Sequence, residues 1–268
     1  MKSSILEMHL KISHAGGLGA LALMLVGASP VLGADDAKAP DAGPPKKWDS
    51  VATAGATLTR GNSKTFLGTF GLNTKRTWTN DEMLFGASAG YGQNTLTVGG
   101  NKVETTTDSY IKGFGQWNHL FTPQTYAGLR VTGDHDDIAS LAYRATVSPM
   151  VGYYFVKRPD AFLAGEVGPS YVREKFFHQE THNYIGLRVG ERGERKFHSG
   201  AKIWESLEWI PKVQDMDNYL LNTEAGVSAP INKALSLSLV LQDTYKNVPA
   251  LGKLKNDLKL IAGLSYNF

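Results

Sequence analysis

The chain contains no cysteine. That excludes disulfide staples and thiolate metal sites outright. It is equally poor in long hydrophobic runs. Beyond residue 34 no apolar stretch approaches the roughly 20 residues that a membrane-crossing helix needs, and no amphipathic helical period stands out. One-sided charge is lacking too, because 28 Lys and Arg stand against 25 Asp and Glu, a net +3 over 268 residues. Without a basic run or a nucleic-acid motif, nucleic acid is excluded as a partner, and no cofactor or metal site is expected.

The one long apolar run, AGGLGALALMLVGASPVLGA from Ala15 to Ala34, follows Lys2 and Lys11, is broken by Pro30 and closes on Gly33 and Ala34. This is the pattern of a secretory signal peptide over residues 1–34. Gly and Pro thin the run below what a stable membrane helix requires, which disfavours an anchor. Residues 35–47, DDAKAPDAGPPKK, read as an Ala- and Pro-rich disordered periplasmic linker.

From Trp48 onward the hydropathy alternates with period two. In the last segment Leu258, Leu260, Ala262, Leu264, Tyr266 and Phe268 share one face, and Lys259, Ile261, Gly263, Ser265 and Asn267 the other. Leu235 to Gln242, Tyr143 to Phe155 and Tyr219 to Val227 repeat the pattern. Twelve such segments start near residues 48, 65, 82, 106, 125, 141, 161, 183, 200, 217, 235 and 257. Segments of about ten residues exceed the usual soluble strand and suit a tilted membrane-spanning one. Connections after even segments are tight, as at Thr79, Thr122, Lys157 and Ile231. Those after odd segments are longer, as at Thr95–Glu104 and Lys246–Asn256, apart from a Gly-Asn hairpin in RGNS at Arg60. Pro149 and Pro169 should each leave a gap in the ladder. Trp48, Trp78, Phe121, Tyr153, Phe155, Tyr266 and Phe268 gather at segment ends, as an interfacial girdle does.

The expected fold is therefore all-β: a transmembrane antiparallel up-and-down β-barrel of about 12 strands over residues 48–268, in the outer membrane of a Gram-negative cell. A soluble periplasmic β-barrel binding protein shares the alternation. Export, rim asymmetry and the terminal aromatic residue favour the membrane form.

Three stretches carry a resemblance to a known family. They are WDSVATAGATLTRGNSKTFLGTFGLNTKR at residues 48–76, IWESLEWIPKVQDMDNYLLNTEAGVSAPINKALSLSLVLQDTY at 203–245, and the closing LKLIAGLSYNF. They resemble domain-of-unknown-function family 481, whose named members are called salt-induced outer membrane proteins. The resemblance implies an outer-membrane barrel and carries over no catalytic or ligand residue. The ending GLSYNF also resembles the C-terminal signal by which the barrel assembly machinery recognises its clients, with Leu264, Tyr266 and Phe268 as the residues read. Outer-membrane lipid and lipopolysaccharide are the other expected partners.

The face opposite the apolar stripe holds Lys75, Lys112, Arg130, Arg144, Glu166, Arg188, Lys202, Glu208, Glu224 and Lys259. This excess of cations suits a narrow channel with a mild anion preference. A lumen plugged by mutual ion pairs is the alternative, since twelve strands lie between filled and open barrels. Glu205 falls on the apolar face, which requires a bulge near Trp204 or a different register. The acidic DHDD at residues 134–137 sits at a loop, where it either holds a divalent cation or is simply solvated. HQETH at 178–182 lacks the helical spacing of a metalloprotease. His198 and Ser199 are adjacent, so on a strand they would point apart. No Ser or Asp joins a His on one face, so a lipid-acting enzyme is a minor alternative. A passive channel or a structural envelope protein is the expected function, with a link to salt or osmotic stress implied by the resemblance.

Overall fold

The computed structural model describes residues 48–59, 63–98 and 101–268. The expected signal peptide, the expected linker and most of the RGNS turn lie outside them. Twelve strands close into one antiparallel barrel, each paired with its sequence neighbours and β1 with β12. They are β1 Asp49–Thr59, β2 Ser63–Thr77, β3 Asp81–Val98, β4 Asn101–Leu120, β5 Thr125–Asp136 and β6 Leu141–Lys157. The second half is β7 Ala161–Phe176, β8 Thr181–Lys196, β9 Lys202–Lys212, β10 Asp215–Pro230, β11 Leu235–Lys246 and β12 Asn256–Asn267.

The alternation explains which face each side chain takes. Leu237, Leu239, Leu258, Leu260 and Leu264 stand outward and exposed, while Ser236, Ser238 and Ser265 point inward and are buried. An exposed apolar band right round a closed sheet is a lipid-facing surface. The barrel therefore spans a membrane.

Following the registers once round the sheet returns to β1 displaced by about 16 residues. For twelve strands that shear implies a tilt of about 45° and a backbone radius of about 12 Å. Arginine and glutamate side chains pointing in from opposite walls can meet across such an interior.

The expected girdle forms at the rim that carries Trp48 and Phe268. Trp48 meets Trp78 with centroids 6.3 Å apart and Phe85 at 5.9 Å. Tyr153 meets Phe155 at 5.3 Å, and Tyr266 stacks on Phe268 at 5.8 Å. Arg76 lies 4.7 Å above Trp78 and 5.8 Å from Trp48. Phe268 also closes the seam, because its backbone exchanges hydrogen bonds with Ser50 at 3.0 and 3.2 Å. The β1–β12 seam pairs only Val51–Gly55 with Asn267–Gly263, fewer rungs than β1 forms with β2.

Pro149 and Pro169 fall opposite each other. The β6–β7 ladder runs from Val147↔Tyr171 to Val151↔Val167 with no rung between, because neither proline has an N–H to give. Inside the barrel the Ser148 and Ser170 hydroxyls hydrogen-bond across that gap.

Three expectations change. Thr95–Glu104 is not a long loop, since β3 runs to Val98 and β4 resumes at Asn101, five residues before the expected start. Rim asymmetry thus lies in tall strands, and 247–255 is the one long connection among the described residues. The second concerns Glu205, which faces outward opposite Ala225 and Gly193, with no bulge near Trp204. It stands three residues into β9, close to the terminal rim, where a carboxylate near the membrane interface costs little. The third is DHDD, which lies at the end of β5 rather than in a loop. Alternation turns Asp134 inward and His135 outward, so the cluster does not converge.

Glycines let large inward rings lie against the wall. A Cβ on Gly152 would sit 2.2 Å from the Tyr126 ring directly opposite, and one on Gly226 would sit 2.1 Å from Trp204. Replacing Gly152 with Val must displace Tyr126, which is fully buried. The expected cost is about 1–3 kcal/mol, typical of an overpacked core, measured as a lower urea midpoint of the detergent-solubilised barrel.

Candidate functional site

Among the described residues, ion pairs converge in the interior. At its centre Glu166 on β7 is 4% exposed, yet four side chains from other strands reach it. Arg188 Nη1 is 3.0 Å from one carboxylate oxygen. Arg192 Nε lies 3.3 Å from the other, which also accepts hydrogen bonds from the Tyr126 hydroxyl and Gln116 Nε2, both at 2.8 Å. A carboxylate this dry is tolerable only when opposite charge and donors surround it.

The network spreads from there. Arg188 Nε donates to Glu208 at 2.6 Å, and Arg130 on β5 approaches the same carboxylate at 3.4 Å from across the lumen. Arg130 also donates to Gln116 at 2.9 Å. Toward the terminal rim Arg192 donates to the Tyr154 hydroxyl at 3.2 Å, and Tyr154 donates to Glu82. Lys157 and Lys75 flank Glu82 at 3.8 and 4.0 Å. Toward the opposite rim Arg144 and Lys246 hold Glu174 at 2.9 and 2.7 Å, a contact joining β11 to β7.

All ten residues read from the sequence face the barrel interior. Those not yet placed are Lys112, Lys202, Glu224 and Lys259. Lys112 lies 5.6 Å from the Tyr110 ring. Lys202 is 3.5 Å from Glu194, and Glu224 accepts from Trp204 Nε1 at 2.7 Å and Gln242 at 2.9 Å. Lys259 pairs with Asp108 at 3.0 Å and lies 3.8 Å over Tyr110.

The expected cation excess does not describe this interior. Glu82, Asp108, Glu174 and Glu194 also point in and meet basic residues within 4.0 Å, and Asp134 lies inside among Arg144 and Lys112. Arg192, Tyr154, Tyr126 and Gln116 were likewise missed. Arg192 lies four residues after Arg188 on β8, so extending the alternation would have revealed it. That Glu166 is the hub could not be read, because its partners are 22 to 50 residues distant.

The two walls differ. The wall from β3 to β8 carries most of the long charged and aromatic side chains and is sealed, with Glu82, Asn118, Tyr126 and Tyr154 almost inaccessible. The wall from β9 through β12 to β2 sets Glu224, Lys246 and Lys259 among small polar groups, including a hydroxyl chain from Thr53 through Ser265 to Ser238 at 2.9 and 2.7 Å. Asn73 and Ser206 face inward on this wall and are exposed. Near the opposite rim a cavity of about 390 Å³ opens between Leu67, Asp108, Tyr110, Asp257 and Lys259.

Among the described residues no cluster of His, Asp and Glu has the arrangement of a metal site. His178 sits in the turn after β7 with a left-handed backbone, φ 59°. His198 and Ser199 lie in the β8–β9 turn, where the Ser199 hydroxyl accepts from the Ala201 amide at 3.3 Å.

Removing Glu166 as Ala takes the carboxylate from the buried Arg192 and leaves Arg188 with Glu208 alone. The barrel should lose about 3–5 kcal/mol by urea unfolding, and combining it with Arg192→Met should recover part of that loss.

Three comparisons frame this geometry. No curated protein matches the chain. Among solved structures it is similar to the NanC porin, at 9% identity and TM-score 0.44, covering 82% of this chain and 96% of that one. It is similar also to the KdgM porin in complex with disordered oligogalacturonate, at 10% and 0.42, covering 82% and 99%. A third is the translocator domain of the autotransporter NalP from Neisseria meningitidis, at 12% and 0.41, covering 82% and 87%. The family pattern described as protein of unknown function, DUF481, matches residues 52–268, the described barrel almost entire, and the chain belongs to that family.

Proposed function

We propose that this protein is a non-enzymatic outer-membrane barrel that works as a narrow passive channel for small solutes. The observation that carries the reading is the exposure of Asn73 and Ser206, which face the interior while the residues of the opposite wall are sealed. Water has room on the small-residue side. The ion-paired side acts as a fixed constriction whose charges are already neutralised by one another, so the passage selects by size more than by charge. The expected export signal and the lipid-facing band support an outer-membrane location. A role under salt or osmotic stress rests on the family resemblance alone.

A closed structural barrel is the second reading, favoured by the contacts that cross the lumen from Arg130 to Glu208 and from Lys246 to Glu174. Single-channel recording of the mature chain, residues 35–268, in a planar bilayer separates the two. Small steady steps with weak ion selectivity are expected, reduced several-fold when Ser206 or Asn73 is replaced by Trp. A folded barrel that conducts nothing would overturn the channel.

The last strand supports recognition by the barrel assembly machinery. Leu264, Tyr266 and Phe268 are outward and 51%, 50% and 62% exposed, so their side chains are available before lipid covers them. Phe268→Ala keeps both backbone hydrogen bonds to Ser50 and removes only the ring. It should lower the heat-modifiable barrel recovered from cells several-fold while leaving refolding in detergent unchanged. Equal losses in both would mean that the ring serves only stability.

A further inference from the structure

The outer wall of β6, β7 and β8 changes character over three successive outward rows. The first row is Val147, Tyr171 and Ile185, paired directly across the three strands and 39%, 46% and 45% exposed, which is the lipid-facing band. One row nearer the rim opposite the termini stands Arg173, between Ala145 and Asn183. One row further stands Lys175, between Tyr143 and Thr181, whose hydroxyls are 3.3 Å apart. Arg173 and Lys175 are both exposed, two residues apart on one face, and thus about 7 Å apart along the strand.

These two cations have no counter-ion among the described residues. Glu174, between them in sequence, points the other way and is held inside by Arg144 and Lys246. The outward carboxylate at the end of β5, Asp137, is engaged by Ser109 and by His135 at 3.2 Å. The grid thus presents two unneutralised cations, two hydroxyls and an amide at the polar edge of an apolar wall. Inside the barrel Glu82, Glu166, Glu174 and Glu208 each have a base within 4.0 Å, so the unpaired state of this outer pair contrasts with the charges of the interior.

We propose that this grid binds the phosphorylated headgroup of an outer-leaflet lipid, the glucosamine phosphate of lipopolysaccharide, with its acyl chains lying on Val147, Tyr171 and Ile185. The inference rests on the outer-membrane reading above, which places the rim opposite the termini at the outer leaflet. The chemistry follows from depth and charge. A molecule reaching both rows must carry an anion at the headgroup level and hydrocarbon immediately below it. Arg173 can offer a fork of donors to phosphate oxygens, Lys175 a point charge, and Asn183 and Thr181 further hydrogen bonds.

The test uses the mature barrel in neutral detergent, titrated with bisphosphorylated lipid A, with dephosphorylated lipid A of the same acyl chains, and with inorganic phosphate. Tight binding of the bisphosphorylated lipid is expected. It should weaken about tenfold or more in Arg173→Gln/Lys175→Gln, since each interfacial cation contributes measurably to anionic lipid affinity. Lys233→Gln, which removes a cation from the terminal rim, should leave it unchanged. Heat-modifiability on gels shows that each variant is folded. Equal affinity of wild type and double variant, or of the two lipids, would overturn the site. Competition by inorganic phosphate at concentrations matching the lipid would show a site for free anions and would overturn its assignment to a lipid. A barrel that binds lipid A here but passes no current would refute the channel and leave this site standing.

Discussion

Everything in this molecule depends on closing a sheet of backbone hydrogen bonds where no solvent can complete them. In hydrocarbon an unpaired amide or carbonyl costs several kcal/mol, so a sheet survives only as a ring. Twelve strands meet that condition, and the shear of their registers sets the tilt and therefore the bore. The two local departures are instructive. Opposed prolines leave a hole in the β6–β7 ladder, which an inward pair of serine hydroxyls spans. The β1–β12 seam, which joins the two ends of the described chain, has the shortest ladder and is finished by the backbone of Phe268.

The narrow bore turns the interior into an electrostatic problem. Side chains long enough to cross half the lumen carry isolated charge into it only at high cost, so Glu82, Glu166, Glu174, Glu208 and Glu224 are met by arginine, lysine, tyrosine, indole or amide. Glu166 concentrates this logic, joining residues from four strands. The same contacts brace the wall against collapse. Packing obeys a matching rule on the inner surface, where a large ring on one strand lies over a glycine on the next.

The outer surface carries a separate layer of information. A band of aliphatic side chains ends in aromatic rings at the terminal rim, and Glu205 is acceptable there because it lies near that edge. At the far rim the band gives way within two rows to Arg173 and Lys175. A cation pair left unneutralised at that depth contrasts with the thorough pairing of charges inside.

The sequence by itself determined the class, the strand number and the face of nearly every residue, because period-two alternation is a local property that backbone pleating converts directly into inside and outside. Many strand ends were legible where Gly, Pro, Asn or Asp punctuates the chain. They failed at Thr95–Glu104, where a polar Gly- and Thr-containing stretch reads as loop but belongs to β3 up to Val98 and to β4 from Asn101, and at Asp134–Asp136, which belong to β5. Likewise all ten interior residues singled out from the alternation face the interior, but their meaning did not follow. Whether Arg188 lines an open pore or neutralises Glu166 depends on which strands the shear brings within reach across the barrel. That is a property of twelve registers together, and no single strand contains it. Only the closed ring decided that charges pair across the interior, that one wall is buried while Asn73 and Ser206 stay exposed, and that Arg173 and Lys175 have no counter-ion among the described residues.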